Sequence, residues 1–386
     1  LLSGRESGTL RNSFALGFIF LQGEGAIMLS RTSWTIAALL VAGVALAAEP
    51  GNGLKKGTPD LKSAGHLAFG PDGVLFVADS QGGAVFAIDT SDKPAKAAGG
   101  ALKAAKIDEQ IAALLGTTAK DVLINGLAVN PASGNAYLSV SRGKGPDAAP
   151  AIVRVTPDGK PTVLALENVP FAKVALPNPA KNEKQKQDTI TYLGFVSGKV
   201  FVAGLSNEQF ASTLRSIPFP FTDVDKGASI EIYHGAHGKL ETQSPVRTFV
   251  PFDIAGQAHL LAAYTCTPLV KIPVEELKPG AHIKGVTVAE LGNGNRPLDM
   301  IVYQKDGKDY ILLANNKRGV MKITTDGIAK IDPITNPIKG GATAGLKYET
   351  IGTLTGVQRL AKLDKEHGLI LVRNGDALNL ETIDLP

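Results

Sequence analysis

The 386-residue chain has one cysteine, Cys266, one tryptophan, Trp34, and only 6% aromatic residues. A single cysteine cannot form an internal disulfide, so stability must come from a packed core. No Cys-x-x-Cys-His occurs, which excludes a c-type haem. No Gly-x-Ser-x-Gly, His-Glu-x-x-His, P-loop or dinucleotide fingerprint occurs either. An excess of charge is also missing: 40 basic against 36 acidic residues leave a net +4. With no basic stripe and no interleaved aromatics, a nucleic-acid partner is excluded. The one charge run, Lys181-Asn182-Glu183-Lys184-Gln185-Lys186, reads as a solvated loop.

Long apolar runs are absent except near the start. From Met28 the chain reads MLSRTSWTIAALLVAGVALAAEP. Arg31 supplies a positive region, residues 36–46 an apolar stretch, and Ala45-Leu46-Ala47 a small-x-small cleavage site. That grammar predicts a secretory signal peptide over 28–47. The stretch is too short for a membrane span, which needs about 20 residues. No membrane span is therefore expected after cleavage, and the address is periplasmic or secreted. Residues 1–27 read as translated upstream sequence, not native protein. Residues 48–386 are expected to form one domain.

What is present is a repeat. Residues 66–89, HLAFGPDGVLFVADSQGGAVFAID, carry apolar strands separated by Gly-bearing turns. The pattern returns at 125–155 and at 297–323. Repeats of three or four strands predict an all-β, six-bladed β-propeller, with seven blades as the alternative. The units are 61–90, 124–166, 189–249, 250–291, 297–331 and 356–383. Unit six lacks a fourth strand, and residues 54–61 could supply it. With its one Trp at position 34, the chain is unlike WD-repeat propellers or quinoprotein propellers docked through tryptophans.

In a propeller, first-to-second and third-to-fourth strand turns share one face. Turns such as Gly70-Pro71-Asp72-Gly73 and Asp306-Gly307 are short there. The long connections, 91–123, 167–188, 205–227 and 332–351, are expected on the other face, the mouth. Two of them should hold short helices. One is capped by Asp108, with Ile111, Leu114 and Leu115 as a stripe and Gly116 as the stop. The other begins at a Ser206-Asn207-Glu208-Gln209 capping box, with Phe210 and Leu214 on one face.

Candidate mouth residues are His66, Asp79, Asn125, Arg142, Asn207, Arg296, Asn315, Asn316 and Arg359. Arginines there could grip an anionic ligand through bidentate bonds, or tether blades to carboxylates. Asp79 could instead cap its own loop, and the asparagines could be turn residues. His234-Gly235-Ala236-His237 reads as a turn on the plain face, two ligands being too few for a metal. Cys266 should end a second strand as a small buried residue; no base can be assigned to it.

Asn125-Gly126-Leu127-Ala128 resembles the Asn-Gly-Leu segment of gluconolactonase and senescence-marker-protein propellers, relatives of NHL propellers. The resemblance implies that Asn125 and Asp299 could be ligands of a divalent cation such as Ca2+. The family's early acid is replaced by His66. No cofactor is otherwise predicted. The expected function is an exported binding protein for a small anionic ligand or a protein partner. The alternative is a metal-dependent lactonase or ester hydrolase.

Overall fold

The computed structural model describes residues 52–93, 101–266 and 268–386. The expectations for residues 1–27 and 28–47 lie outside the described residues. The described chain is an all-β propeller. Its strands sort into antiparallel units that we number I to VI in chain order.

Blade II is the plain case: Val122–Val129, Ala136–Arg142, Ala149–Val155 and Pro161–Val163, each paired with the next. Blade III contains Tyr192–Val196, Lys199–Leu205, Ser212–Pro218 and Ala228–His234. Blade IV contains Thr248–Ile254, Gln257–Ala263, Pro268–Pro273 and His282–Glu290. Blade V contains Pro297–Lys305, Lys308–Asn315, Gly319–Thr324 and Tyr348–Ile351. The second strands are the most apolar because neighbouring blades cover both faces. In blade I, Val74–Asp79 is buried at every position.

Blades I and VI borrow their fourth strands. Blade I has Leu67–Phe69, Val74–Asp79 and Ala84–Asp89. The strand added outside them is Val169–Ala175, which arrives only after blade II is finished. Blade VI has Val357–Lys362, His367–Asn374 and Ala377–Asp384, and is closed by Lys103–Ala104. Residues 54–61 therefore do not complete blade VI: Lys55–Gly57 lies outside Val169–Ala175 as a fifth strand of blade I. The inner strands neighbour one another in the ring order I, II, VI, V, IV, III and back to I. An apolar cluster fills each of these junctions; Phe86 and Tyr137 bury the junction of I and II, Phe201 and Tyr264 that of III and IV.

The helix Ile107–Leu115 forms as expected, with Gly116 at its end in the left-handed region, φ 63°. Lys106, not Asp108, occupies its N-terminal cap. Asp108 accepts instead from the Leu378 N–H of blade VI. Ile107 and Ile111 are buried against blades II and VI, so the helix is packed on the rim.

The second expected helix is absent. Ser206 Oγ accepts only a local bond from Glu208 N–H, and Ser212–Pro218 is a strand of blade III. Ladder bonds to Lys199–Leu205 outweigh the capping signal. All four expected loops conceal a blade strand: Lys103–Ala104, Val169–Ala175, Ser212–Pro218 or Tyr348–Ile351. The 325–347 connection joins third and fourth strands of blade V. It leaves from the plain face and runs along blade IV, where Ala344–Gly345 pairs with Ala289 and Glu290. No helix among the described residues is long and apolar enough to cross a membrane.

Candidate functional site

A cavity of about 460 Å3 opens on the mouth face, where inner strands begin and second strands turn into third strands. That volume lies within the range of small-molecule sites. His66, Asn125, Arg296 and Arg359, all singled out from sequence, line it together. Lys62, Lys120 and Lys144 also line it, and the sequence reading missed them. Lys120 and Arg296 each sit just ahead of an inner strand, and that shared offset was the available signal.

One wall is the entry segment before blade I, and Asp79 fixes it. Its buried carboxylate accepts from Lys62 N–H and Ser63 N–H at 2.9 Å, Ser63 Oγ at 2.8 Å and Gly82 N–H at 2.9 Å. Asp79 thus ties the wall together and is not free for a ligand. The adjoining wall is the start of blade II. Asn125 Nδ2 donates to Ala64 O and to Ser141 Oγ, both at 2.9 Å. Gly126 is required beside it, because a Cβ there would lie 2.8 Å from both Gly65 O and Ser139 Oγ. Replacing Gly126 with Ala is expected to part blades I and II at the mouth, costing about 1–3 kcal/mol as other overpacked sites do. Urea unfolding checks it; an unchanged midpoint would contradict the close approach.

The floor is formed by inner strands. The His66 ring lies 4.6 Å from that of Tyr192, and its Nδ1 is 4.0 Å from Asp299 Oδ1. Asp299 Oδ2 accepts from Leu360 N–H at 3.1 Å. Burial raises the Asp299 pKa to about 7, although Arg359 and the Leu360 N–H pull it down. Burial, then Arg359 and Arg296, lower that of His66 to about 3. Near neutral pH the imidazole is uncharged and Asp299 is divided between its two forms.

The acids at the cavity are engaged. Asp188 holds Arg247 through two bonds, 2.6 and 3.4 Å, and Asp121 lies 3.9 Å from Lys144. Arg296 and Arg359 are not tethered to carboxylates among the described residues. Arg359 Nη1 donates to Gln358 O at 3.0 Å, while its buried Nε has no partner. Burial and the charges of Arg247 and Arg359 push the Arg296 pKa down, with Asp188 opposing. Five basic side chains line the cavity against two acidic ones, Asp121 and Asp188, so its charge is net positive.

The remaining candidates fall elsewhere. Asn316 Oδ1 accepts from Arg296 N–H at 2.7 Å and so places that arginine. Asn315 is buried and caps its turn, accepting from Lys317 N–H and Arg318 N–H. Arg142 is exposed beside the lining residues Ser141 and Gly143, outside the lining itself. Asn207 is exposed on blade III, where its N–H meets Asn178 O. Asn125 lines the cavity, whereas Asp299 is buried beneath it beside His66.

No protein-family model matches the sequence, and no curated protein matches it. Solved structures similar to this chain include the PQQ-bound aldose sugar dehydrogenase of Streptomyces coelicolor, 13% identical with a TM-score of 0.34. That match covers 85% of this chain and 96% of the other. The soluble aldose sugar dehydrogenase of Escherichia coli, in its apo form, is 13% identical with a TM-score of 0.30, covering 86% and 99%. The full extracellular region of plexin A4 is 10% identical with a TM-score of 0.40, covering 86% of this chain and 40% of the other.

Proposed function

We propose that this chain is an exported binding protein that holds a small anionic ligand, a carboxylate or phosphate, in the mouth-face cavity. The observation that carries the reading is the pair Arg296 and Arg359, which line the cavity without a carboxylate partner among the described residues. An arginine fork matches carboxylate and phosphate oxygens and stays charged at any working pH. The signal-like segment at 28–47 supports a periplasmic or secreted address.

Calorimetric titration with citrate and with inorganic phosphate tests the reading. Arg359→Ala and Arg296→Ala should each weaken binding of the better probe by about 1.5–3 kcal/mol, the scale of a hydrogen bond to a charged group. Equal affinity in wild type and both variants would contradict it.

The gluconolactonase-like alternative needs a divalent cation on Asn125 and Asp299. One feature favours it: Asn125 Oδ1 has no partner among the described residues. Against it, Asn125 lines the cavity whereas Asp299 is buried beneath it, with Oδ2 already accepting from Leu360 N–H. If the alternative held, Asn125→Ala and Asp299→Ala would each remove bound metal and lactone hydrolysis, while Arg359→Ala would leave both.

A further inference from the structure

We propose that His234, His237 and Cys266 form a binding site for a d-block metal ion of the zinc or copper class, separate from the anion cavity. The imidazole and thiol ligand atoms lie within 4.8 Å of one another. They come from two blades: the histidines from the turn after the fourth strand of blade III, Cys266 from the second-to-third turn of blade IV. From sequence alone the His234–His237 turn falls on the plain face and offers only two ligands. The unrecognised strand Ser212–Pro218 reverses the direction of every later element in the blade. It thereby carries this turn to the mouth face, where Cys266 supplies the third ligand.

The histidines are set up as metal ligands by Glu241. Its Oε2 meets His234 Nδ1 at 2.9 Å and its Oε1 meets His237 Nδ1 at 2.6 Å; Ser244 Oγ donates to Oε2 at 2.5 Å. With each carboxyl oxygen facing one Nδ1, the carboxylate accepts and both Nδ1 atoms donate. In neutral imidazoles this leaves the lone pair on Nε2, the tautomer that binds metals.

The independent sign of a missing occupant is His234 Nε2. His234 is 1% exposed, and this atom is buried with no hydrogen-bond partner. A buried orphan of this kind calls for a water or an ion. The two rings stand 3.8 Å apart at 35°, close enough for a shared ion. Cys266 is held in a left-handed turn, φ 63°, by its N–H to Asn295 O at 2.7 Å. Buried Glu290 accepts from Gly235 N–H between the two histidines, placing a second carboxyl beside the turn. The 325–347 connection covers the turn, with Ile338 N–H on Gly235 O at 2.9 Å. Two imidazoles and a thiolate select zinc or copper over calcium or magnesium, and three protein ligands leave one coordination position open.

Cobalt(II) titration of the full, chelator-treated chain tests the site, because a thiolate ligand gives a charge-transfer absorbance. One equivalent should bind and produce that absorbance, and zinc should displace it, while millimolar calcium should not. Cys266→Ser should abolish the absorbance. His237→Ala, at an exposed ring that the fold does not need, should weaken binding at least tenfold. Glu241→Gln should weaken it by about 10–100-fold, the usual effect of losing a carboxylate behind a ligating histidine, and keep the absorbance. Cobalt binding without the absorbance, or unchanged affinity in both Cys266→Ser and His237→Ala, would overturn the assignment.

Discussion

Asp299→Asn is expected to stabilise the protein above pH 7 by an amount on the order of 4 kcal/mol relative to its effect near pH 4. Folding raises the Asp299 pKa from an ordinary 3.8 to about 7. Between those values the folded protein holds a proton that the unfolded chain has released. Stability from this residue therefore falls as pH rises through the window, by about 1.4 kcal/mol per pH unit. His66 acts in the opposite sense. Its folded pKa is lowered from 6.5 to about 3, so the unfolded chain holds the extra proton and stability rises with pH from about 3 to 6.5. In the wild type the two slopes cancel between about pH 4 and 6.5: folding in effect moves one proton from His66 to Asp299. Each single variant uncovers the slope of the other residue. Urea unfolding of wild type, Asp299→Asn and His66→Gln at several pH values measures this. The two variants should diverge from wild type in opposite directions; parallel curves would show that the floor is not dry.

Asp79→Ala should cost about 3–5 kcal/mol. Buried polar groups that lose a shared partner keep their desolvation penalty, about 1–3 kcal/mol each. Here the N–H groups of Lys62, Ser63 and Gly82 and the Ser63 hydroxyl all lose their acceptor. Asp79→Asn should not rescue it fully. Three of these bonds go to Oδ1 and one, from Lys62 N–H, to Oδ2, so an amide nitrogen must face a donor in either orientation. Ligand affinity should fall as well, because residues 62–65 are a cavity wall. The unfolding midpoint separates this from a direct ligand contact: a variant as stable as wild type but unable to bind would return Asp79 to the list of binding residues.

Much of the architecture was legible because inner and middle strands are apolar and end at Gly-bearing turns. Val74–Asp79 and Ala84–Asp89 could be read directly. Outer strands could not. Val169–Ala175 is mostly half-buried and has no clean alternation. Lys103–Ala104 is two residues long and pairs with a blade far away in sequence. Ser212–Pro218 is buried but polar: Arg215, 1% exposed, donates from its two Nη atoms to Thr213 Oγ1 and Pro177 O, contacts that no local pattern announces. Missing that strand inverted the face assigned to His234 and His237. Of the cavity, the arginines were legible from their positions at inner-strand starts. The engagement of Asp188 by Arg247, which leaves Arg296 untethered, depends on three blades meeting and could not be read from sequence.

The central claim is that Arg296 and Arg359 together hold an anion. Anomalous diffraction from crystals soaked in selenate tests it most directly, since the scatterer is itself an oxyanion. A selenium peak within hydrogen-bond distance of both guanidinium groups, lost in Arg359→Ala crystals, is the expected result. A mouth without selenate, with both arginines paired to protein carboxylates, would contradict it.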